Sequence, residues 1–352
     1  MIRKHRLKPI EIALLVVPLC GLAFASWRMA NQPAPEKPFV PPRYSILDLG
    51  PAIKGSWISD LNDKGEVVGA WGASNKTWRP AIWKAGKMKL IGKQFGIAEA
   101  INNKGSVVIN FEISTQTSAF LWKNGKLRKL GTLGGAMSYA SDINDKDEIV
   151  GFADAKEDGK NRSHALLWQN GRMRDISGTD NTFNIARAIN QRGDIVGVTQ
   201  SSQACLWQND NLAILPDSAD ARDINDKGTI LGQGDKISME VCWWANGRKK
   251  TILSETGSNP LFAMSINDNN QVVGATVIKN SKTGATFAFL YANDQIYDLN
   301  TLIASNRNYK LFIAYAINNR GQIVCEGILN AKRHIFLLTP NASRVLQQSS
   351  TR

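Results

Sequence analysis

From Tyr44 to Leu338 the apolar positions fall in short runs, rich in Val, Ile and aromatic residues and interrupted every few positions by Asn, Asp and Gly. Runs so short and so β-branched, bounded by turn-forming residues, predict strands rather than helices. The pattern also repeats. Its core reads small–x–x–Ile–Asn–x–x–Gly–x–Val/Ile–Val–Gly, then a variable stretch, then Ala–Phe–Leu–Trp–x–Asn–Gly, then a short apolar segment. The pivotal asparagines are Asn62, Asn102, Asn144, Asn190, Asn225, Asn267 and Asn318, at spacings of 40, 42, 46, 35, 42 and 51. A period near 43 residues is that of a four-stranded propeller blade.

Each unit resolves into strands a to d. In the fourth, a is 186–189, b is 194–198, c is 204–207 and d is 212–215. Between a and b sit NDKG, NNKG, NDKD, NQRG, NDKG, NDNN and NNRG, whose last residues are Gly65, Gly105, Asp147, Gly193, Gly228, Asn270 and Gly321. Gly, Asn and Asp are the residues that tolerate positive φ, and a leading Asn bonds the backbone two residues on. Between c and d sit WKAG, WKNG, WQNG, WQND, WANG and YAND, a strong hairpin signal. The rival reading of Asn-Asp-x-Gly is a calcium loop. That needs several convergent oxygens, and no second acidic position recurs through the units, so the turn is preferred. Trp83, Trp122, Trp168, Trp207, Trp244, Tyr291 and Leu338 share one position on strand c, expected to be buried between units.

Seven a, b and c strands are present, but the seventh unit ends after strand c at 334–338. The segment Tyr44-Ser45-Ile46-Leu47-Asp48-Leu49-Gly50 matches the d pattern of Leu127–Gly131. The expected fold is therefore all-β: a single seven-bladed β-propeller over 43–340, closed by an N-terminal strand, with a polar tail at 341–352.

A different composition precedes it. MIRKHRLK is followed by a stretch from Ile12 to Trp27 with no charged residue. Basic residues at that flank hold it in the cytoplasm and place the rest of the chain outside. Residues 1–30 read as a hydrophobic helix, either a signal anchor or a signal peptide cleaved after Ala23-Phe24-Ala25. NQPAPEKPFVPP at 31–42, with five prolines, reads as an extended spacer.

The repeat resembles the HAF-repeat family of exported proteins. His164-Ala165-Leu166-Leu167-Trp168 is the nearest match to the phrase that names the family, and Leu130-Gly131-Thr132-Leu133-Gly134-Gly135 matches its other recurrent phrase. The resemblance covers roughly 44–338. It implies export and a repeat architecture and carries no catalytic residues. The chain departs from the pattern in keeping His at only two units, His164 and His334.

Chemistry enters last because little of it recurs. Nucleophile triads, zinc clusters and phosphate loops are absent as sequence signals; no catalytic residue, metal site or cofactor is expected. His164 and His334 occupy one repeat position in blades that are not neighbours and read as structural. Cys205 and Cys242 occupy equivalent strand c positions and read as buried thiols rather than a disulfide. The chain carries 43 Lys and Arg against 30 Asp and Glu. The c–d hairpins are basic, with Lys84, Lys87, Lys89, Lys123, Lys126, Arg128, Lys129, Arg172, Arg174, Arg248, Lys249 and Lys250 against four aspartates. Lys123, Lys126, Arg128 and Lys129 are candidate contacts to anionic lipid.

Hairpins a–b and c–d lie on one face and are short. The b–c and d–a connections lie on the other and vary, and variable loops on a rigid scaffold are where binding resides. Candidate binding residues there are Trp71, Trp78, Arg79, Lys156, Lys160, Arg162, Arg307, Lys310, Lys332 and Arg333. The functional expectation is an exported, membrane-tethered, non-catalytic binding or scaffold module of the cell envelope. Its partner would be a protein or glycan, not nucleic acid. The alternative is a propeller hydrolase or lyase on an envelope glycan or peptide, which would need carboxylates or a metal converging at the ring's mouth.

Overall fold

The computed structural model describes residues 39–341, except 53–55, 74–76, 114–115, 158–159, 179–183, 235–239, 253–260, 278–285 and 305–308. The expected hydrophobic helix, most of the proline spacer and the polar tail lie outside the described residues.

Seven four-stranded antiparallel sheets follow one another along the chain. Blade 1 comprises β2 (Trp57–Leu61), β3 (Val67–Trp71), β4 (Arg79–Lys84) and β5 (Lys87–Leu90). Blade 2 holds β6 (Gly96–Ile101), β7 (Val107–Ile113), β8 (Gln116–Lys123) and β9 (Lys126–Lys129). Blade 3 holds β10 (Gly134–Ile143), β11 (Ile149–Glu157), β12 (Lys160–Gln169) and β13 (Arg172–Asp175). In blade 4 these are β14 (Ile185–Ile189), β15 (Ile195–Val198), β16 (Ala204–Gln208) and β17 (Asn211–Ile214). In blade 5 they are β18 (Asp220–Ile224), β19 (Ile230–Gln233), β20 (Val241–Ala245) and β21 (Arg248–Thr251). Blade 6 runs β22 (Leu261–Ile266), β23 (Val272–Val277), β24 (Thr286–Ala292) and β25 (Gln295–Asp298), and a single turn of helix, α1 (Leu299–Leu302), leaves it. Blade 7 has β26 (Tyr309–Ile317), β27 (Ile323–Leu329) and β28 (Lys332–Pro340), and its outer strand is β1 (Tyr44–Pro51) from the opposite end of the chain.

The pairing of β1 with β28 runs from Tyr44 opposite Pro340 to Pro51 opposite His334. Tyr44 and Leu49 are buried there. His334 Nδ1 lies 2.9 Å from the Asp48 carboxylate, and in blade 3 His164 Nδ1 lies 2.6 Å from Asp175. Both are a strand c histidine beside a strand d aspartate, so β1 occupies the place of an ordinary fourth strand.

The turns take the expected form. All seven fourth positions of the a–b turns have positive φ, from 55° at Asn270 to 93° at Gly193. Six c–d hairpins carry positive φ at both central residues, as in Asn124 (51°) and Gly125 (77°), which is the type I′ turn that matches strand twist. Each a strand also carries a bulge two residues before its asparagine, such as between Ala140 and Asp142. There the a strand crowds strand b. A Cβ on Gly151 would stand 2.0 Å from the Tyr139 carbonyl oxygen, and one on Gly197 1.9 Å from that of Ile185. This close approach explains the Gly of the repeated Val-Gly.

The core lies between blades. Each of six buried clusters draws from two neighbours, and the strand c aromatic of one blade packs against the blade before it. Trp83, Trp168, Trp207, Trp244, Tyr291 and Leu338 are buried as expected, while Trp122 is half-buried. Cys205, Cys242 and Cys325 are buried thiols, none of them in a disulfide.

Candidate functional site

The innermost strands β2, β6, β10, β14, β18, β22 and β26 surround the central channel. At the short-turn end the repeated asparagines form a closed ring. Asn62 Nδ2 donates to the Asn102 carbonyl (3.0 Å), Asn102 to Asn144 (2.9 Å), Asn144 to Asn190 (3.1 Å) and Asn190 to Asn225 (3.2 Å). Asn225 donates to Asn267 (2.9 Å), Asn267 to Asn318 (3.1 Å) and Asn318 back to Asn62 (2.9 Å). Each Asn Oδ1 also accepts from its own turn; for Asn144 the donors are Lys146 N and Glu148 N. A second ring uses the next residue, whose backbone N–H donates to the side-chain oxygen one blade on, as from Asp63 to Asn103 and from Asn319 to Asp63. A turn-forming Asn therefore also joins blades, which its position in the sequence period could not reveal.

Inside this mouth lies a pocket of about 170 Å³ lined by Asp60, Asp63, Asp142, Asp145, Asp223, Asp226 and Asp268, with no basic side chain in its wall. The expectation that no acidic position recurs beside the turns needs correction here. Asp60, Asp142 and Asp223 stand two residues before Asn in blades 1, 3 and 5. Blades 2, 4 and 7 have Ala100, Ala188 and Ala316 there, and blade 6 has Ser265. The alternation hid the signal, because only positions shared by every unit stand out in a repeat.

These carboxylates do converge at the mouth, but as inter-blade clamps. Asp60 Oδ1 accepts from Leu61 N and Oδ2 from Ile101 N of blade 2. Asp142 likewise bridges Ile143 N and Ile189 N, and Asp223 bridges Ile224 N and Ile266 N. Burial pushes Asp60 up to about 6. Burial, together with repulsion from Asp60 and Asp223, pushes Asp142 to about 8. Burial also raises Asp223. With both oxygens of each engaged by backbone N–H groups, they are poorly placed for acid–base work on a substrate. Among the described residues no group of acidic, His or Cys side chains is placed to hold a metal ion.

The opposite end of the channel is different. The innermost strands carry Trp57, Glu99, Tyr139, Arg187, Asp220, Arg222 and Tyr315 before the turns. Asp220 bridges Arg187 (2.8 Å) and Arg222 (3.3 Å). Tyr139 donates to Glu99, and Tyr315 to Glu326 (2.9 Å). Burial and those carboxylates raise both phenols above their ordinary range, so neither tyrosine is activated as a nucleophile.

The predicted binding residues separate into groups. Trp71, Trp78 and Arg79 lie in blade 1. Lys310, Lys332 and Arg333 lie in blade 7, its neighbour. Trp57, which sequence reasoning missed because it sits on an a strand, joins the two: its ring is 6.3 Å from Trp78 and 6.2 Å from Tyr315. Trp57 remains 42% exposed. Arg79 Nη2 donates to the Gly92 carbonyl (3.3 Å). Arg333 pairs with Glu326 (3.1 Å) and lies 5.1 Å over Phe312. Lys156, Lys160 and Arg162 are on the β11–β12 hairpin of blade 3, apart from this cluster. Arg307 lies outside the described residues.

Solved structures of other proteins align with this chain. The structure titled YCF48 bound to D1 peptide aligns at a TM-score of 0.54 and 11% identity, over 86% of this chain and 99% of that one. TolB from Acinetobacter baumannii aligns at 0.41 and 12%, over 78% and 64%. Trypanosoma rangeli sialidase in complex with sialic acid aligns at 0.38 and 7%, over 85% and 59%. At 11% identity the first of these likenesses shows the fold alone. No family model and no curated protein sequence matches the chain.

Proposed function

We propose that this protein is a non-catalytic binding module of the cell envelope, exported and tethered by its N-terminal segment, whose partner is a protein segment docking where blades 1 and 7 meet on the variable-loop face. The observation that carries the reading is the cluster of Trp57, Trp78 and Tyr315, with Trp57 open to solvent; Arg79 follows Trp78 in the chain, and Arg333 pairs with Glu326, which also accepts from Tyr315. Aromatic and arginine side chains at the centre of a patch are the usual anchors of protein recognition. YCF48, a propeller of the same fold bound to a peptide, is consistent with this class of partner. Support for the envelope comes from the charge-free Ile12–Trp27 behind a basic flank and from the resemblance to exported HAF-repeat proteins. The hydrolase or lyase alternative is not favoured by channel carboxylates already held by backbone donors.

The test is quantitative crosslinking in intact cells with full-length wild type and a Trp57→Ala/Arg79→Ala variant. Specific partners should fall at least about tenfold in the variant, consistent with hot-spot losses of about 2 kcal/mol or more. Equal capture by both would overturn the assignment, and loss of glycan rather than protein crosslinks would change the partner class.

A further inference from the structure

The basic hairpins of the short-turn face are unevenly distributed. Blades 1 to 3 carry most of the positive charge, while the c–d hairpins of blades 4 and 6 present Asp210 and Asp294. Where blades 2 and 3 meet, a groove of about 610 Å³ opens on this side. One wall is the β8–β9 hairpin with Lys123, Lys126, Leu127 and Arg128. The other is the β10–β11 turn with Lys146 and Asp147, together with Trp168 and the β12–β13 turn.

Its one lining carboxylate is already engaged. Asp147 pairs with Lys123 at 2.5 Å and accepts from Asn102 Nδ2 at 2.9 Å. Arg128 extends across the groove, its guanidinium 5.1 Å over the Trp168 ring. Lys126 and Lys146 are exposed and form no ion pair among the described residues. The lining therefore holds four cations against one anion.

The groove is also partly apolar. Leu127, which lines it between Lys126 and Arg128, is 40% exposed. A hydrophobic side chain flanked by cations on an outer strand suits a ligand with an anionic head and an apolar body. A polyanion without an apolar part would leave Leu127 in water.

We propose that this groove, lined by Lys123, Lys126, Arg128, Lys146 and Trp168, docks on the headgroups of an anionic phospholipid surface. The sequence supplies an independent membrane-directed element in Ile12–Trp27, and stable attachment generally takes two such signals. The attraction of Lys and Arg to an anionic surface acts within a Debye length of about 10 Å at 0.1 M salt. The site is on the face opposite Trp57, so it stands or falls separately from the proposed partner surface.

The test is co-sedimentation of the full chain with vesicles of phosphatidylcholine alone or with about 30 mol% phosphatidylglycerol, at about 0.1 M salt. The N-terminal segment is unchanged in every variant, so the groove is read from differences between variants. Wild type should prefer the anionic vesicles. Lys126→Glu/Arg128→Glu should lower that preference at least about tenfold while unfolding at the wild-type temperature. Arg248→Glu, on the blade 5 hairpin, should retain the preference. The proposal is overturned if the double variant keeps the wild-type preference, or if Arg248→Glu loses as much, since net charge alone would then explain binding. Groove-dependent binding to heparin or an oligonucleotide with none to vesicles would likewise overturn it.

Discussion

The two faces of the ring are built on opposite rules. At the short-turn face each blade offers its neighbour the same groups: an Asn side chain to donate, an Asn carbonyl to accept, and an oxygen at the following position. Among the described residues of the variable-loop face, neighbouring blades share no exchange repeated in every unit. Contacts there are particular to one place, as with Trp57, Trp78 and Tyr315, or Arg187, Asp220 and Arg222. A ring bonded blade to blade needs the same donor and acceptor in every unit, because a change in one leaves a buried group unpaired in the next. A recognition surface has no such constraint. Repetition along the sequence therefore marks structure in this protein, and departure from repetition marks the place to look for recognition.

This contrast between the faces is open to direct challenge. The largest effect should come from removing residues 1–50, and with them β1. Tyr44 and Leu49 lose their burial and β28 becomes an open edge, so stability should fall by at least about 4 kcal/mol, with aggregation, by urea denaturation. A truncation as stable as the full chain would show that blade 7 does not need its N-terminal strand. Next, Asn144→Ala removes donors to Asn190 and Glu148 and the acceptor for Lys146 N and Glu148 N. A cost of about 3 kcal/mol is expected from the polar groups left unpaired, and less than about 1 kcal/mol would mean the ring is ornamental.

The channel aspartates give a pH dependence of definite sign. Asp142 titrates near 8 and Asp60 near 6 in the folded protein, against about 3.9 for an unfolded Asp. Between these values the folded state holds protons that the unfolded chain has released. Their contribution to stability is complete below the ordinary carboxylate range and is lost as pH rises through about 6 and then 8. Urea midpoints should thus decline from mildly acidic to alkaline pH, with a slope of up to about 1.4 kcal/mol per pH unit per proton. Asp142→Ala, which copies the residue already present in blades 2 and 4, should flatten the profile; an unchanged slope would place the titration elsewhere. Smallest of all should be Trp57→Ala. With the side chain 42% exposed, it should cost less than about 1 kcal/mol of stability even while binding is lost. A larger loss would make Trp57 part of the scaffold and erase the contrast between the faces.

Much of this was legible in the chain. The Asn period, the turns and the match of 44–50 to a fourth strand led to the blade count and to the pairing of β1 with β28, because local turn chemistry and strand length are read directly from residue order. The candidate surface was legible in part. Trp78 and Arg79 stood out as residues in a variable connection, but Trp57 and Tyr315 occupy a strands that the repeat marks as interior. Lys156, Lys160 and Arg162 looked equivalent to them and lie in a different blade. The channel carboxylates were missed because they occur in alternate blades.

Residue order alone settled the features that short-range forces govern: the number and order of the strands, and which turns take positive φ. Which side chains meet across blades was settled by the closed ring. Asn144 and Asn190 are 46 residues apart and Asn62 and Asn318 256 apart, yet each pair is joined by one hydrogen bond. Closing the ring brings the first and seventh blades together and sets Trp57 beside Tyr315. It also gathers Asp60, Asp142 and Asp223 into one low-dielectric space, where burial, and then the charges of Asp60 and Asp223, raise the proton affinity of Asp142. Such effects depend on distance through space, and the order of residues along a strand carries that distance only once the ring is closed.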